Sequence, residues 1–560
     1  MTARSDIDMT AAARVAKSAP PPAPKHGMLR SSMIISGFTL ISRIMGFVRD
    51  LAITYFMGAS ATIAADAYNA AFAFPNLFRR IFAEGAFASA FVPAYARSLE
   101  QDGEEVADTL AADAMATLAT ATLAITVIAE LTLPWLMRYL IAPGFANIPG
   151  KVHLAVVLTM ITMPYLPCMA IYAHLSGVLN ARSRFILSSG APILLNLWTL
   201  ATVLPARSPT QAAFFASAGV IAAGISQAGL LWWGVRRSGA RVDIRRPRLT
   251  PAIRKLIGLA VPGAIAASAG QINVFVSGIM VSQVNGARSW LAVCDRLYQL
   301  PQGLVGVAVG VALLPRLSRA VHAGDKVQAR GTIDEAITFS MALTLPAAAA
   351  LIAMPYFLID SLYTRGAFRE VDAIATASAL QQYGWGVPAF VLAQITSRAF
   401  FAQQDTQTPM RFALISVGVN IALGVTLFQI VGVAGIAAAT SAATWLNVIM
   451  MAVTLGRRGI YAPSAKAWSH LARVLAAAVA LGLLLAGVVH FRAALEAPIA
   501  HVSLGPIHAK EIAVLAVSFL AVMVYPILLF LSGGLTRDDI RKALRRSPST
   551  APEVDPETLL

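Results

Sequence analysis

Seven arginines lie inside long apolar stretches of this chain: Arg43, Arg49, Arg79, Arg80, Arg296, Arg398 and Arg473. A guanidinium is always charged and presents five N–H donors in a planar fork, so its natural partners are carboxylates and phosphates. At mid-bilayer each costs roughly 2.5–3.5 kcal/mol on insertion scales, and such residues face a bundle interior or a watery cavity. Arg473 lies one turn into its stretch and can reach the interface along its aliphatic stem. The others need a use. Arg43, Arg49 and Asp50 share one stretch; Asp66, Arg79, Arg80 and Glu84 share a second, interrupted by Pro75; Asp295 and Arg296 share a third, with Pro301 just after. Residues 43 and 50 are seven apart and lie on one helix face, whereas Arg49 points about 100° away from Asp50 on an ideal helix. Internal neutralisation would pair Arg43 with Asp50, Arg80 with Glu84, and Arg296 with Asp295. It leaves a surplus of positive charge, because Asp66 sits close to the end of its stretch. A cationic cleft within lipid suits an anionic ligand, phosphate above all.

The elements that must position these charges are helices in a membrane. Of 560 residues, 57% are apolar and only 13% are charged, and the mean hydropathy is +0.67. That composition excludes disorder, a disulfide-stapled secreted domain and a nucleic-acid-binding tail protein, and it argues against a large soluble enzyme. Cys168 and Cys294 are too few and too far apart for a metal cluster or disulfide framework. No Walker loop, HExxH or dinucleotide-binding glycine pattern occurs, and the histidines, His174 and His490 among them, are scattered, so no enzyme chemistry, metal or cofactor is expected.

Hydropathy marks fourteen spans, at about 31–57, 66–96, 106–137, 153–180, 185–205, 210–235, 256–284, 289–315, 331–358, 371–402, 410–430, 432–456, 471–490 and 511–532. Each can cross ~30 Å of hydrocarbon. With the N-terminus inside, the cytoplasmic loops and tails carry 29 Lys and Arg and the outer loops carry 8, the bias that membrane insertion demands. Both termini are therefore expected in the cytoplasm. Residues 1–27, rich in Ala, Pro and Lys, read as a disordered tail, and 537–560 as a second cytoplasmic tail.

An internal repeat organises the spans. FPNLFRRIFAEGAFASAFVPAYAR (74–97) and LPQGLVGVAVGVALLPRLSR (300–319) align with an offset of 222 at Pro93/Pro315 and Arg97/Arg319, and Asn196 and Asn420 follow at 224. Two six-helix bundles are expected, at 28–235 and 256–456, joined by a basic linker at 236–255. An even helix number per bundle makes the repeat parallel, which suits rocking about a central site. Two further helices, within 467–536, have no counterpart. The fold class is thus all-α, a polytopic membrane protein with fourteen transmembrane helices.

The charged segments also carry a family likeness. ISRIMGFVRDLAI (41–53) and FPNLFRRIFAEGAFASAFVP (74–93) resemble the MurJ (MviN) family of lipid II flippases, with support from APGF (142–145), LNARSRF (179–185), DRLYQLPQGLVGVAVGVALLP (295–315) and DTQTP (405–409). The likeness runs from Met28 to about residue 540. It implies the multidrug/oligosaccharidyl-lipid/polysaccharide exporter fold and transfer of a polyprenyl-pyrophosphate-linked disaccharide-pentapeptide, lipid II, from the inner to the outer leaflet of the bacterial inner membrane. The implied substrate-binding residues are Arg43, Arg49, Arg79 and Arg296, with Asp66 important; Arg80, Glu84 and Asp295 complete the candidate site on their in-span charge. The last two helices are implied to form a groove for the lipid tail. Partners expected are lipid II and membrane lipids, with no nucleic acid and a single protein chain. Ala73 stands where some relatives have a basic residue, and Gln299 where some have an acid. A flippase for another polyprenyl-linked saccharide, or a drug exporter of the same superfamily, is the alternative. A cation exporter should instead show acidic cleft residues.

Overall fold

A computed structural model describes residues 25–81, 87–323, 325–499 and 508–534. Of the predicted tails, residues 1–24 and 537–560 lie outside the described residues, while residues 25–27 begin the first helix instead. Everything described is helical or connecting loop, with no strand among the described residues.

Helix α1 spans Lys25–Met57, α2 Ala64–Ile81, α3 Phe87–Gln101, α4 Glu104–Leu136, α5 Lys151–Thr162, α6 Tyr165–Ala181, α7 Phe185–Gly190, α8 Ile193–Val203 and α9 Pro209–Arg237. The second series is α10 Pro251–Val281, α11 Ala287–His322, α12 Lys326–Ala353, α13 Pro355–Tyr363, α14 Glu370–Gly384, α15 Val387–Phe401, α16 Gln407–Val431 and α17 Val433–Arg457. Helices α18 (Ala465–His490), α19 (Arg492–Glu496) and α20 (Ala509–Leu531) follow.

Starts are set by caps. Ser208, Thr250, Asp325 and Ser464 each accept a backbone N–H three residues on, and Pro209 and Pro251 occupy first-turn positions that need no donor. Among the described residues four predicted spans are broken rather than continuous, at Pro164, Pro192 and Pro355 and at Trp385–Gly386 just before Pro388. Proline lacks the N–H that would close the helical ladder and its ring clashes with the preceding turn.

Among the described residues nine helical segments are long and apolar enough to cross a membrane: 104–141, 151–181, 185–203, 209–237, 326–353, 407–431, 433–457, 465–490 and 509–531. The remaining predicted spans coincide with α1, α2–α3, α10, α11 and α14–α15. Leu483, Phe519, Val522 and Leu531 are more than 60% exposed on α18 and α20, as befits surfaces solvated by lipid rather than water.

Helix α9 packs on α6 and α8, α16 on α17, and α10 on α16. Helix α18 packs on α12 and on α20. Ionic contacts fasten these last helices to the end of α13: Arg492 pairs with Asp360 and with Glu496 at 2.6 Å, and Lys510 donates to the Thr364 carbonyl at 2.7 Å. The linker after α9 is held rather than loose. Ala240 and Val242 are buried, and the Arg241 N–H donates to Asp108 at 2.6 Å. The two asparagines of the repeat do equivalent things. Asn196 donates to the Ser42 carbonyl of α1 at 2.9 Å, and Asn420 donates to Asn273 of α10.

Candidate functional site

Asp50 lies at the centre of the charged cluster. Arg49 donates to its Oδ1 from Nη2 at 2.6 Å and from Nε at 2.9 Å. Arg296, from α11, donates to its Oδ2. The pairings expected from neutralisation are therefore different: Asp50 is taken by Arg49 and Arg296, not by Arg43, and Arg296 reaches across to α1. A three-carbon stem lets Arg49 curl sideways to its neighbour despite the 100° offset between them. Two guanidiniums share one carboxylate, so the group carries a net positive charge. It is half-shielded, with side-chain exposures of 11% for Arg49, 21% for Asp50 and 29% for Arg296. Several N–H groups of the two forks are left over for another acceptor.

Arg43 is held at the same α1–α11 contact. Its guanidinium lies on Gly303, where an added Cβ would come within 1.5 Å of Nη1. Gly46, one turn along α1, faces Asn196 and Arg296.

The triad opens onto a cavity of about 450 Å³ built by α1, α2, α10 and α11. Asp295 lines it too, with the amides of Asn69, Asn76, Gln271 and Gln299 and the rings of Tyr68, Phe72, Phe275 and Tyr298. Ala73 and Gln299, the two departures noted in the sequence, both face this space. The mixture of amides, aromatic faces and cationic forks can hold a polar, anionic molecule with apolar ring faces. Among the described residues no group of three His, Cys, Asp or Glu side chains is arranged to hold a metal ion.

The far end of the cavity is closed by a seal between the two helix series. Asp66, 0% exposed, accepts the Gly286 N–H at 2.8 Å, the Ser289 N–H at 3.0 Å and the Ser289 hydroxyl at 2.9 Å. It thereby caps the start of α11 and meets the positive end of that helix. Lys151, also 0% exposed, bonds Asp66 at 2.8 Å and Asn285 at 2.6 Å, above the Phe145 ring. The second series returns the gesture. Buried Asp372 accepts the Ser60 N–H and the Trp290 indole N–H, each at 3.0 Å. Arg288 donates to the Ile141 carbonyl at 2.7 Å. Two glycines 222 positions apart, Gly144 and Gly366, make close backbone approaches across the seal. A Cβ on Gly144 would lie 2.4 Å from the Ser282 carbonyl, and one on Gly366, at φ +60°, would lie 2.4 Å from the Tyr55 carbonyl.

Of the residues singled out in the sequence, Arg43, Arg49 and Arg296 thus gather at one contact, with Asp295 on the same cavity wall. Asp66 lies in the seal. Arg79 and Arg80 fall in the last turn of α2, but their side chains, and all of Glu84, lie outside the described residues. Sequence reasoning missed Lys151 and Arg288, counting both as loop charges, and missed Asp372 entirely. The signal for Lys151 was its place at a helix start that the other helix series could bury.

The chain as a whole has counterparts among known proteins. A family profile described as "Lipid II flippase MurJ" matches residues 53–530. A Rhizobium meliloti protein named "Probable lipid II flippase MurJ" is 37% identical over 528 residues, covering 94% of this chain and 97% of its own. A Burkholderia cenocepacia protein named "Lipid II flippase MurJ" is 32% identical over 474 residues, covering 83% of this chain and 90% of its own. In three dimensions the chain is similar to a structure titled "Lipid II flippase MurJ, inward closed conformation", with TM-score 0.73, 24% identity, and coverage of 92% of this chain and 100% of that one. An inward-facing multidrug transporter of the MATE family, 13% identical, shares the fold at TM-score 0.63 over 77% of this chain and 98% of its own.

Proposed function

The chain belongs to the MurJ family of lipid II flippases, and on that premise we propose that it carries lipid II from the cytoplasmic to the periplasmic leaflet of the bacterial inner membrane by alternating access. The observation that carries this reading is the Arg49–Asp50–Arg296 triad, two guanidiniums on one largely shielded carboxylate at the wall of a 450 Å³ cavity. A pyrophosphate there is met by planar forks with donors to spare, each charge-assisted bond being worth roughly 1.5–3 kcal/mol. Arg43, held on Gly303, adds a third cation at the same contact. Arg79, Arg80 and Glu84, whose side chains lie outside the described residues, are proposed to complete the set, and Asp295 and the amides face the saccharide.

Hydrocarbon would charge many kcal/mol for the passage of a disaccharide-pentapeptide headgroup. A polar cavity replaces that cost, while the polyprenyl tail stays in lipid along a groove flanked by α18 and α20. The loop charge bias supports a periplasmic position for the seal and cytoplasmic termini. Asp66 then acts as the latch of the closed periplasmic side, and the cavity fills from the cytoplasm. Rocking of one bundle against the other opens the seal and releases the headgroup outward. The protein works as a single chain and performs no covalent chemistry.

The test is leaflet-resolved. In cells depleted of this protein, lipid II labelled by an impermeant reagent from the periplasmic side should fall while total lipid II accumulates. Undiminished outward movement under depletion would overturn the reading.

A further inference from the structure

Tyr363, the last residue of α13, has a buried hydroxyl that does nothing in the closed seal or the triad as they stand. The side chain is 1% exposed, and among the described residues no donor or acceptor lies within hydrogen-bond distance of its hydroxyl. Buried hydroxyls without a partner are uncommon, and each asks for an explanation.

Its position supplies one. The ring meets Phe47 of α1 edge-on, centroids 6.2 Å apart. It belongs to the apolar cluster that also holds Leu51 of α1 and Leu297 of α11. Phe47 and Leu51 flank Asp50 along α1, and Leu297 follows Arg296. The phenol therefore packs against residues of both helices that bring Asp50 and Arg296 together, behind the wall of the cavity.

Asp50 has its donors only while the arginines have nothing better. A pyrophosphate meets the spare donors of Arg49 and Arg296 first, and its greater charge then turns both forks toward it and loosens their bonds to the carboxylate. Asp50 is only 21% exposed, so water replaces them poorly, and a shielded carboxylate that loses its donors is expensive. We propose that Tyr363 is a positioning residue whose hydroxyl donates to Asp50 when the substrate's pyrophosphate takes the two arginines. This rests on the lipid II reading above and names a residue on which anion binding at that site depends.

The same residue ties the triad to the seal. The Arg365 N–H donates to the Tyr363 carbonyl at 2.7 Å, and nearby the Ala367 N–H donates to the Tyr55 carbonyl at 2.9 Å, with Tyr55 five residues beyond Asp50. Opening the seal moves the phenol away from α1, which would withdraw the substitute donor and favour release on that side.

Tyr363→Phe removes one oxygen and leaves the ring. The experiment measures lipid II affinity in nanodiscs and thermal melting of the ligand-free full chain, for wild type, Tyr363→Phe and Arg296→Ala. We expect Tyr363→Phe to melt at or above the wild-type temperature, since an unpartnered buried hydroxyl is lost, and yet to bind lipid II roughly tenfold more weakly. Arg296→Ala should also bind more weakly. If Arg296→Ala weakens binding and Tyr363→Phe does not, the role of Tyr363 is wrong while the site stands. If Tyr363→Phe lowers the melting temperature, its hydroxyl is structural and the proposal falls. If neither variant affects binding, the anion site itself is misplaced and this inference goes with it.

Discussion

The seal and the triad use the same residue types to opposite ends. In the seal both buried carboxylates are saturated. Asp66 takes three donors from the other helix series and a lysine from its own, all without water. Asp372 is likewise saturated, by Ser60, Trp290 and the Arg369 N–H. In the triad one carboxylate serves two arginines and the group remains partly open to the cavity. Saturation makes a joint and surplus makes a site. A membrane arginine is therefore informative less by its presence than by how many of its donors are still unclaimed.

Substitutions should separate the two regions by what they damage. The largest effect on the folded state belongs to Lys151→Met. It strips Asp66 of its cation in a fully buried place, at a cost of about 3–5 kcal/mol, and should show as a marked fall in melting temperature or loss of the closed form. Arg296→Ala should cost far less stability, because Asp50 keeps Arg49 and some solvent; if the two variants melt alike, the contrast between joint and site is mistaken.

Next is Gly366→Ala. It imposes a side chain at φ +60° and drives a Cβ against the Tyr55 carbonyl, a strain of about 1–3 kcal/mol. Cysteines placed on the cavity wall near the seal, in a background lacking Cys168 and Cys294, should become more reactive toward an impermeant thiol reagent from the sealed side. Unchanged labelling would mean that this contact does not hold the seal shut.

Smaller still is Gly303→Ala, which displaces the Arg43 guanidinium without removing its charge. We expect a several-fold loss of lipid II affinity with melting unchanged; an equal affinity would remove Arg43 from the site.

Much of this was legible in the residues. Apolar runs located the helices, and the in-span charges pointed to α1, α2 and α11 as the cavity walls. The Pro/Arg repeat and its asparagines were visible as well, and Asn196 and Asn420 each bind the first helix of their own series. What escaped was long-range. Nothing local to Asp50 says that its second partner is 246 positions away. Lys151 and Arg288 sit at span ends, where a hydropathy window stops, so both looked like solvated loop charges until the opposing loop covered them. Pro164, Pro192 and Pro355 announced the breaks in three spans, but a window averages across them.

We propose that the arginines of the triad bind substrate rather than neutralise an acid. The most direct measurement is lipid II translocation in proteoliposomes by wild type, Arg296→Ala, and the double variant Asp50→Ala/Arg296→Ala, all at matched folded protein. The account predicts at least a roughly tenfold loss for Arg296→Ala, from a lost charge-assisted contact, and no recovery in the double variant. Wild-type translocation by the double variant would contradict it, since only an ion pair without a substrate role can be deleted whole at no cost.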